Sequence, residues 1–257
     1  MQIYPTNNLY HNNKQPSFRQ WCREVRIPHK GFLNRNDTSF FRDENFLPRL
    51  TRFMYDNFKD IPKVNVYCYG CSDGSEPFTF AMRMLSMKEE DARKFLPIIA
   101  RDIDSVAINK ALKNDYELTK REKDYIDHFT YKQYDRFFDG PYEEYVNSED
   151  YSSQEVKKVL VKKELYDYVD FGLGNILKDY KKIKPQDTVL LARNFWPYLG
   201  GSSVRIECLK NLYKHFDKNC YLVTGEFDHR GTLYKIENEI LNAGFNKTPL
   251  EYVYVKK

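Results

Sequence analysis

No long apolar run occurs anywhere in the 257 residues. The N-terminus lacks the apolar core of a signal peptide. No segment approaches the roughly 20 apolar residues of a membrane helix. A cytoplasmic location is the expectation that follows. An excess of one charge sign is also missing: 41 basic residues stand against 37 acidic ones, a net charge of +4. Without a Lys/Arg run, that balance gives no support to a nucleic-acid partner. Cysteine is sparse, at five residues. Cys68 and Cys71 have C-x-x-C spacing, but zinc would want a second such pair or nearby histidines, and neither is present. A redox pair would sit at a helix start, whereas Cys68 reads as part of a strand. Buried structural cysteines and no metal are therefore expected. Internal repeats are absent.

What is present is polar and aromatic. Charged residues make up 30% of the chain and aromatic residues 16%, with 21 tyrosines, and the mean hydropathy is -0.73. The length suits one domain with a subdomain, or two small domains. The stretch over residues 64–82, VNVYCYGCSDGSEPFTFAM, organises the rest. Val64, Val66 and Cys68 fall on one side of an extended run and Asn65, Tyr67 and Tyr69 on the other. Gly70 and Gly74 bracket a polar turn. Pro77 suits the first turn of a helix, where its missing N–H costs nothing. Phe78, Ala81, Met82 and Leu85 then recur at helical spacing. A strand turning on glycine into a helix is the first unit of a nucleotide-type α/β sheet.

The flanking chain extends this pattern. Residues 1–16 are rich in Asn and Gln. Residues 17–27 predict one short helix with an apolar stripe of Phe18, Trp21, Cys22 and Val25. Its Arg19, Arg23 and Arg26 form either a solvated face or a docking surface for an acidic partner. Asn36-Asp-Thr-Ser-Phe-Phe-Arg42 leads into an amphipathic helix carrying Phe46, Leu50, Phe53 and Met54. Thr38 there reads as a cap, and Phe40 and Phe41 as core. A second buried strand ends at Asp102, where an acid can hold two ribose hydroxyls. Asp104 caps a helix over residues 105–113, with Val106, Ala107, Ala111 and Leu112 expected inside. Residues 129–168 interrupt the alternation and read as an inserted subdomain. After a short strand at 169–171 comes Gly-Leu-Gly-Asn175-Ile176-Leu177. Asn175 is either a turn residue or an amide that both donates to and accepts from a purine edge. Residues 187–194 make a nearly all-apolar, central strand ending at Arg193 and Asn194. Ser202 or Ser203 is expected to cap the next helix. A strand over 220–224, a helix over 232–243 and a last strand over 252–255 follow.

Several of these stretches resemble signatures of the CheR family. CheR proteins are S-adenosylmethionine-dependent methyltransferases that esterify glutamates of bacterial chemoreceptors. Gly70 to Met82 matches the family's cofactor loop, G-C-S-x-G-x-E-P-[FY]-[ST]-x-A-M, residue for residue. Asn36-x-Thr38-x-Phe-Phe-Arg42 matches its N-x-T-x-F-F-R. Asp102-Ile-Asp104, followed by a helix and Tyr116, matches D-I-D and its tyrosine. Asn175-Ile176-Leu177 stands for N-L-L. Arg193, Asn194 and Tyr198 are kept from C-R-N-x-x-x-Y-F, with Ala192 and Leu199 as departures and Pro197 placed just before the tyrosine. Gly225-Glu226 stands loosely for G-x-x-E.

The resemblance implies a Rossmann-like α/β methyltransferase over residues 36–257. It implies a small antiparallel β insertion at about 129–168, preceded by a short N-terminal helical segment over 1–35. It places Asn36, Thr38, Arg42, Gly70, Glu76, Asp102, Asn175, Ile176, Arg193 and Asn194 around S-adenosylmethionine. Arg42 and Tyr198 would serve the methyl acceptor, a carboxylate that needs no general base. Glu76 is alternatively an ordinary acid at a helix start. Only 35 residues precede Asn36, fewer than the helical receptor-recognition domain with which the chemoreceptor enzymes begin. The catalytic domain is thus better supported than a chemotaxis role. Three other readings stay open: a related enzyme acting on a non-receptor protein or small acid, a cofactor-binding scaffold without turnover, and an NAD-type dehydrogenase. The last is opposed by the absence of G-x-G-x-x-G.

Overall fold

The computed structural model describes residues 38–43, 45–141, 156–229 and 236–257. The predicted helix over 17–27 and Asn36 lie outside them. The order is α1 (Phe46–Asn57), β1 (Asn65–Tyr69), α2 (Ser75–Met87), α3 (Glu89–Ala92), β2 (Ile98–Asp102), α4 (Ser105–Lys113), β3 (Tyr116–Thr119), α5 (Lys120–Phe129), α6 (Tyr134–Phe137), β4 (Phe138–Asp139), β5 (Val156–Val161), α7 (Lys163–Tyr166), β6 (Val169–Leu173), α8 (Ile176–Asp179), β7 (Thr188–Ala192), α9 (Ser202–His215), β8 (Tyr221–Val223), α10 (Ile236–Ala243), β9 (Asn246–Lys247) and β10 (Val253–Val255).

Seven strands form the main sheet in the order β6-β2-β1-β7-β8-β10-β9. The pairs from β6 through β8 are parallel, and β10 runs antiparallel to both its neighbours. The chain starts in the middle at β1, works outward to β6, then returns to β7 on the other side. That reversal between β1 and β7 opens a crevice at the strands' carboxyl ends, where doubly wound folds bind ligands.

Strand alternation divides the core into two layers. Val66 and Cys68 of β1 and Val189 and Leu191 of β7 join Phe78, Met82 and Leu85 of α2 on one face. Tyr67, Tyr69, Leu190 and Ala192 join Leu209 and Leu212 of α9 and Ile240 of α10 on the other. Every residue of β7 is buried, as expected of a central parallel strand covered on both faces. Ten of α2's residues are buried as well, because α1 and the small sheet cover what the main sheet leaves open.

The small sheet has the order β3-β5-β4 and is antiparallel. It takes its first strand from Tyr116–Thr119, upstream of the 129–168 stretch. Alternation explains this: Tyr116 and Leu118 are buried and Glu117 is exposed. Tyr116 and Phe138 close edge-to-face on Phe40, with centroids 5.4 and 5.3 Å apart. Phe41 stacks on Phe129 at 5.4 Å. Two adjacent phenylalanines thus carry residues 38–43 into the molecule.

Three local expectations differ from the structure. Thr38 caps no helix; α1 starts at Phe46 after Asn45. Val106 and Leu112 are 74% and 51% exposed, and α4 instead buries Ala107, Ile108 and Ala111. The first turn that Asp104 caps places Val106 on the outer face. Helix α9 has Gly201 at its N-cap, while the Ser202 hydroxyl bonds Glu239 at 2.6 Å.

Candidate active site

The turn after β1 is shaped by backbone. Gly70 (φ 74°) donates to the Arg101 carbonyl at 2.8 Å. A Cβ at Gly70 would press on Phe195, and one at Gly74 (φ 94°) on Phe171. Both glycines are therefore required for conformation and for space. The Gly74 turn delivers Glu76 into the first turn of α2.

Asp102 ends β2 beside this turn and is buried. Its Oδ2 accepts from Ser72 N at 2.7 Å and its Oδ1 from Asp104 N at 2.9 Å. Burial raises its pKa above the usual carboxylate value, against the pull of those N–H groups. The Ile103 N–H also acts on this carboxylate, which as an acceptor-only group has about four lone-pair sites in all. In the adjoining strand Leu173 pairs with Asp102, and Gly174 N donates to the Asp102 carbonyl at 2.8 Å. Asn175 therefore lies close to Asp102. Its Oδ1 caps α8 through Leu177 N at 3.0 Å, which leaves the amide's donor end. The Ile176 side chain is committed to the apolar layer with Tyr69. Cys68 and Cys71 are buried free thiols. Desolvation pushes both pKa values up, so neither is an activated nucleophile.

Arg193, at the carboxyl end of β7, ties three segments together. Its Nη1 donates to Glu76 at 2.9 Å, and its Nη2 pairs with Asp43. The guanidinium also lies over the Phe46 ring, 5.3 Å from the centroid. Phe41 N donates to Thr79 Oγ1 at 3.2 Å and pins residues 38–43 above α2. Thr38, Ser39, Arg42, Asp43, Glu76, Thr79 and Arg193 are among the residues lining a shallow open cleft. The cleft thus gathers Thr38, Arg42, Glu76 and Arg193 of the residues singled out in the sequence. Gly70, Asp102, Asn175 and Ile176 belong to the neighbouring strand ends.

Asn194 (φ 62°) follows, and its Oδ1 accepts from Phe227 N at 3.2 Å. Tyr198 stacks on Phe227, with centroids 6.0 Å apart and planes at 19°. The sequence reading missed Asp43, Ser72, Phe227 and Asp228. Asp228 carried a signal: it stands three residues after Gly225, the spacing of G-x-x-E, so that it rather than Glu226 holds the acid position of that pattern. Asp43 had none beyond its place beside Arg42. Among the described residues no cluster of His, Cys, Asp and Glu could hold a metal ion, and no helix is long and apolar enough to cross a membrane.

Known proteins bear on this arrangement in three ways. The family model described as CheR methyltransferase, SAM binding domain, matches residues 36–238. No curated protein matches the chain. Similar solved structures include the magnesium protoporphyrin IX methyltransferase of Synechocystis PCC 6803, at 11% identity, covering 95% of this chain and 97% of that one, with a TM-score of 0.42. An RNA methyltransferase of Salinibacter ruber, with S-adenosyl-L-homocysteine, is 12% identical over 81% of this chain and 90% of that one, TM-score 0.34. A putative O-methyltransferase of Nostoc punctiforme PCC 73102 is 10% identical over 83% and 58%, TM-score 0.42. The family match spans the turn after β1, the Asp102 tip, the Arg193 junction and the segment carrying Thr38 and Arg42; the chain belongs to the CheR methyltransferases and has their S-adenosylmethionine-binding fold.

Proposed function

We propose that the chain methylates a side-chain carboxylate of an acidic protein partner, a glutamate of the kind found on chemoreceptors, in the cytoplasm of a bacterium. One observation carries the choice of acceptor. The cleft contains two carboxylates, Glu76 and Asp43, and both are engaged by Arg193. Neither is poised to take a proton from an amine or hydroxyl. A carboxylate acceptor is already ionised near neutral pH and needs no base.

The residues at the strand ends fit the cofactor. Ser72 Oγ, Arg193 Nε and Asn194 Nδ2 are buried polar atoms without a partner, and such atoms at a crevice imply a ligand or water. Asp102, at the tip of β2, suits the ribose hydroxyls. Glu76 suits the amino group, Asn175 the purine edge, and Thr38 and Asn36 the amino-acid end, although Asn36 lies outside the described residues. When bound, S-adenosylmethionine supplies a methyl group on a sulfonium, open to in-line displacement. The chain's own task is positioning and exclusion of water. Arg42, exposed on the cleft's lining, orients the incoming carboxylate through paired N–H donors. Tyr198 lines the acceptor approach and donates to it. Arg19, Arg23 and Arg26, outside the described residues, would favour an acidic partner, with a salt-sensitive contribution of about 0–1 kcal/mol each.

The test is to incubate bacterial lysate with methyl-labelled cofactor and then treat it with mild alkali. Label on protein, released as volatile methanol, is the expected result. Alkali-stable label would overturn carboxyl methylation. Alkali-labile label confined to small molecules would discard the protein partner. A protein that binds the cofactor and labels nothing would be a scaffold.

A further inference from the structure

Asp228 is completely buried and has no part in the chemistry described above. Its bonds are nonetheless concentrated on the site. Oδ2 accepts from Asn194 N at 2.7 Å and Gly225 N at 2.8 Å, and Oδ1 accepts from Trp196 N at 3.2 Å. In return, the Asn194 side chain accepts from Phe227 N at 3.2 Å. A Cβ on Gly225 would overlap the Asn194 amide. The turn after β7 and the turn after β8 therefore hold each other, side chain to backbone, in both directions. The first turn carries Asn194, whose buried Nδ2 has no partner, and Tyr198. The second carries Phe227, on which Tyr198 stacks.

We propose that Asp228 is a positioning residue for methyl transfer, whose carboxylate anion fixes the Asn194 and Tyr198 turn through three backbone N–H groups. This rests on the roles proposed above for Asn194 and Tyr198. An ionised carboxylate is acceptor-only and satisfies three donors. A protonated one places an O–H among those donors and loosens the turn. Burial pushes the pKa of Asp228 up to about 7, although the three N–H groups and the Arg193 guanidinium favour the anion. Tyr254 on β10 also acts on it, and His229 is its neighbour in sequence, with Glu237 on α10 acting on both Tyr254 and His229. The His229 ring bonds Thr224 Oγ1 at 2.8 Å, and burial lowers its pKa. Tyr254 is raised by burial first, with Glu237 and Asp228 adding to it. Cofactor binding and turnover are thereby tied to the loss of one proton near neutral pH.

Folding has the opposite dependence. A carboxyl whose folded pKa exceeds its unfolded one stabilises most when protonated. Its contribution is present below about pH 4 and is lost as pH rises towards 7.

The experiment follows Trp196 fluorescence from pH 5.5 to 8.5 in Trp21→Phe protein, with calorimetric titration of S-adenosylhomocysteine over the same range. Trp196 reports on the turn because its backbone N–H is bonded to Asp228 and its indole N–H to the Ala192 carbonyl at 2.7 Å. The expected result is a Trp196 transition near pH 7 that Asp228→Asn abolishes. The Asp228→Asn protein should also bind the ligand at least about tenfold more weakly at pH 8, without the loss of affinity that wild type shows as pH falls through 7. A pH-independent Trp196 signal in the parent protein overturns the proposal, and that arm needs no Asp228 variant to fold. A transition that persists in Asp228→Asn assigns it to another group, His229 first, and also overturns it. Asn194→Ala tests the underlying reading by itself: unchanged ligand affinity there removes Asn194 from the cofactor site, whatever Asp228 does.

Discussion

On the β1, β2 and β6 side of the crevice, the site is shaped by backbone turns whose N–H groups close on adjoining strand ends. Ser72 and Asp104 N–H groups meet Asp102, and Asn175 caps its own helix. On the β7 and β8 side, side chains far apart in sequence do the holding. Arg193 reaches Glu76 and Asp43, and Asp228 reaches Asn194 and Trp196. The first half is held mainly by backbone N–H groups, and the second mainly by charged side chains.

The difference is sharpest at Arg193. Replacing it by Met leaves two half-buried carboxylates facing each other, and breaking such a pair costs about 3–5 kcal/mol. Urea unfolding should show a loss in that range, and an unchanged midpoint would mean that the junction ties nothing together. Gly74→Ala probes the other half. A Cβ at φ 94° would press on Phe171, a strain of about 1–3 kcal/mol. It should appear both as lost stability and as weaker cofactor binding; a protein unchanged in both would leave that turn without its assigned constraint.

The same contrast decided what could be read from the sequence. The backbone half was legible because its constraints are local: glycines at turn positions, an acid at a strand tip, alternation in β1. The resemblance of Gly70 to Met82 to the cofactor loop rests on contiguous residues. The other half depends on side-chain pairings across 32 to 150 residues, which contiguous signatures do not spell out. Asp43 shows this, with no signal beyond its place beside Arg42, and nothing near Arg193 in sequence points to its two partners; Asp228 differs, since its spacing from Gly225 is that of G-x-x-E. Val106 and Leu112 show a further limit. Hydrophobicity placed them inside, yet the register that Asp104 imposes on α4 faces them outward.

Asp102→Ala should weaken S-adenosylhomocysteine binding at least tenfold, about 1.4 kcal/mol, if both ribose hydroxyls bond to it. Calorimetry measures this directly, and equal affinity would move the ribose elsewhere. The smallest effect is expected at Val106→Ser, within about 0.5 kcal/mol of wild type in urea. A loss of 2 kcal/mol, the order expected of a buried valine, would contradict the exposed placement of α4's outer face.

Whether Tyr198 serves the methyl acceptor rather than the cofactor is the most direct test of the proposed division of labour. The measurement is S-adenosylhomocysteine affinity and the rate of methyl labelling for Tyr198→Phe and wild type, side by side. Removing the hydroxyl takes away one donor and leaves the ring on Phe227. The predicted result is cofactor affinity within about twofold of wild type and labelling slowed about tenfold, the signature of a group that acts on the acceptor. Equal losses in affinity and rate would contradict it and make Tyr198 part of the cofactor site.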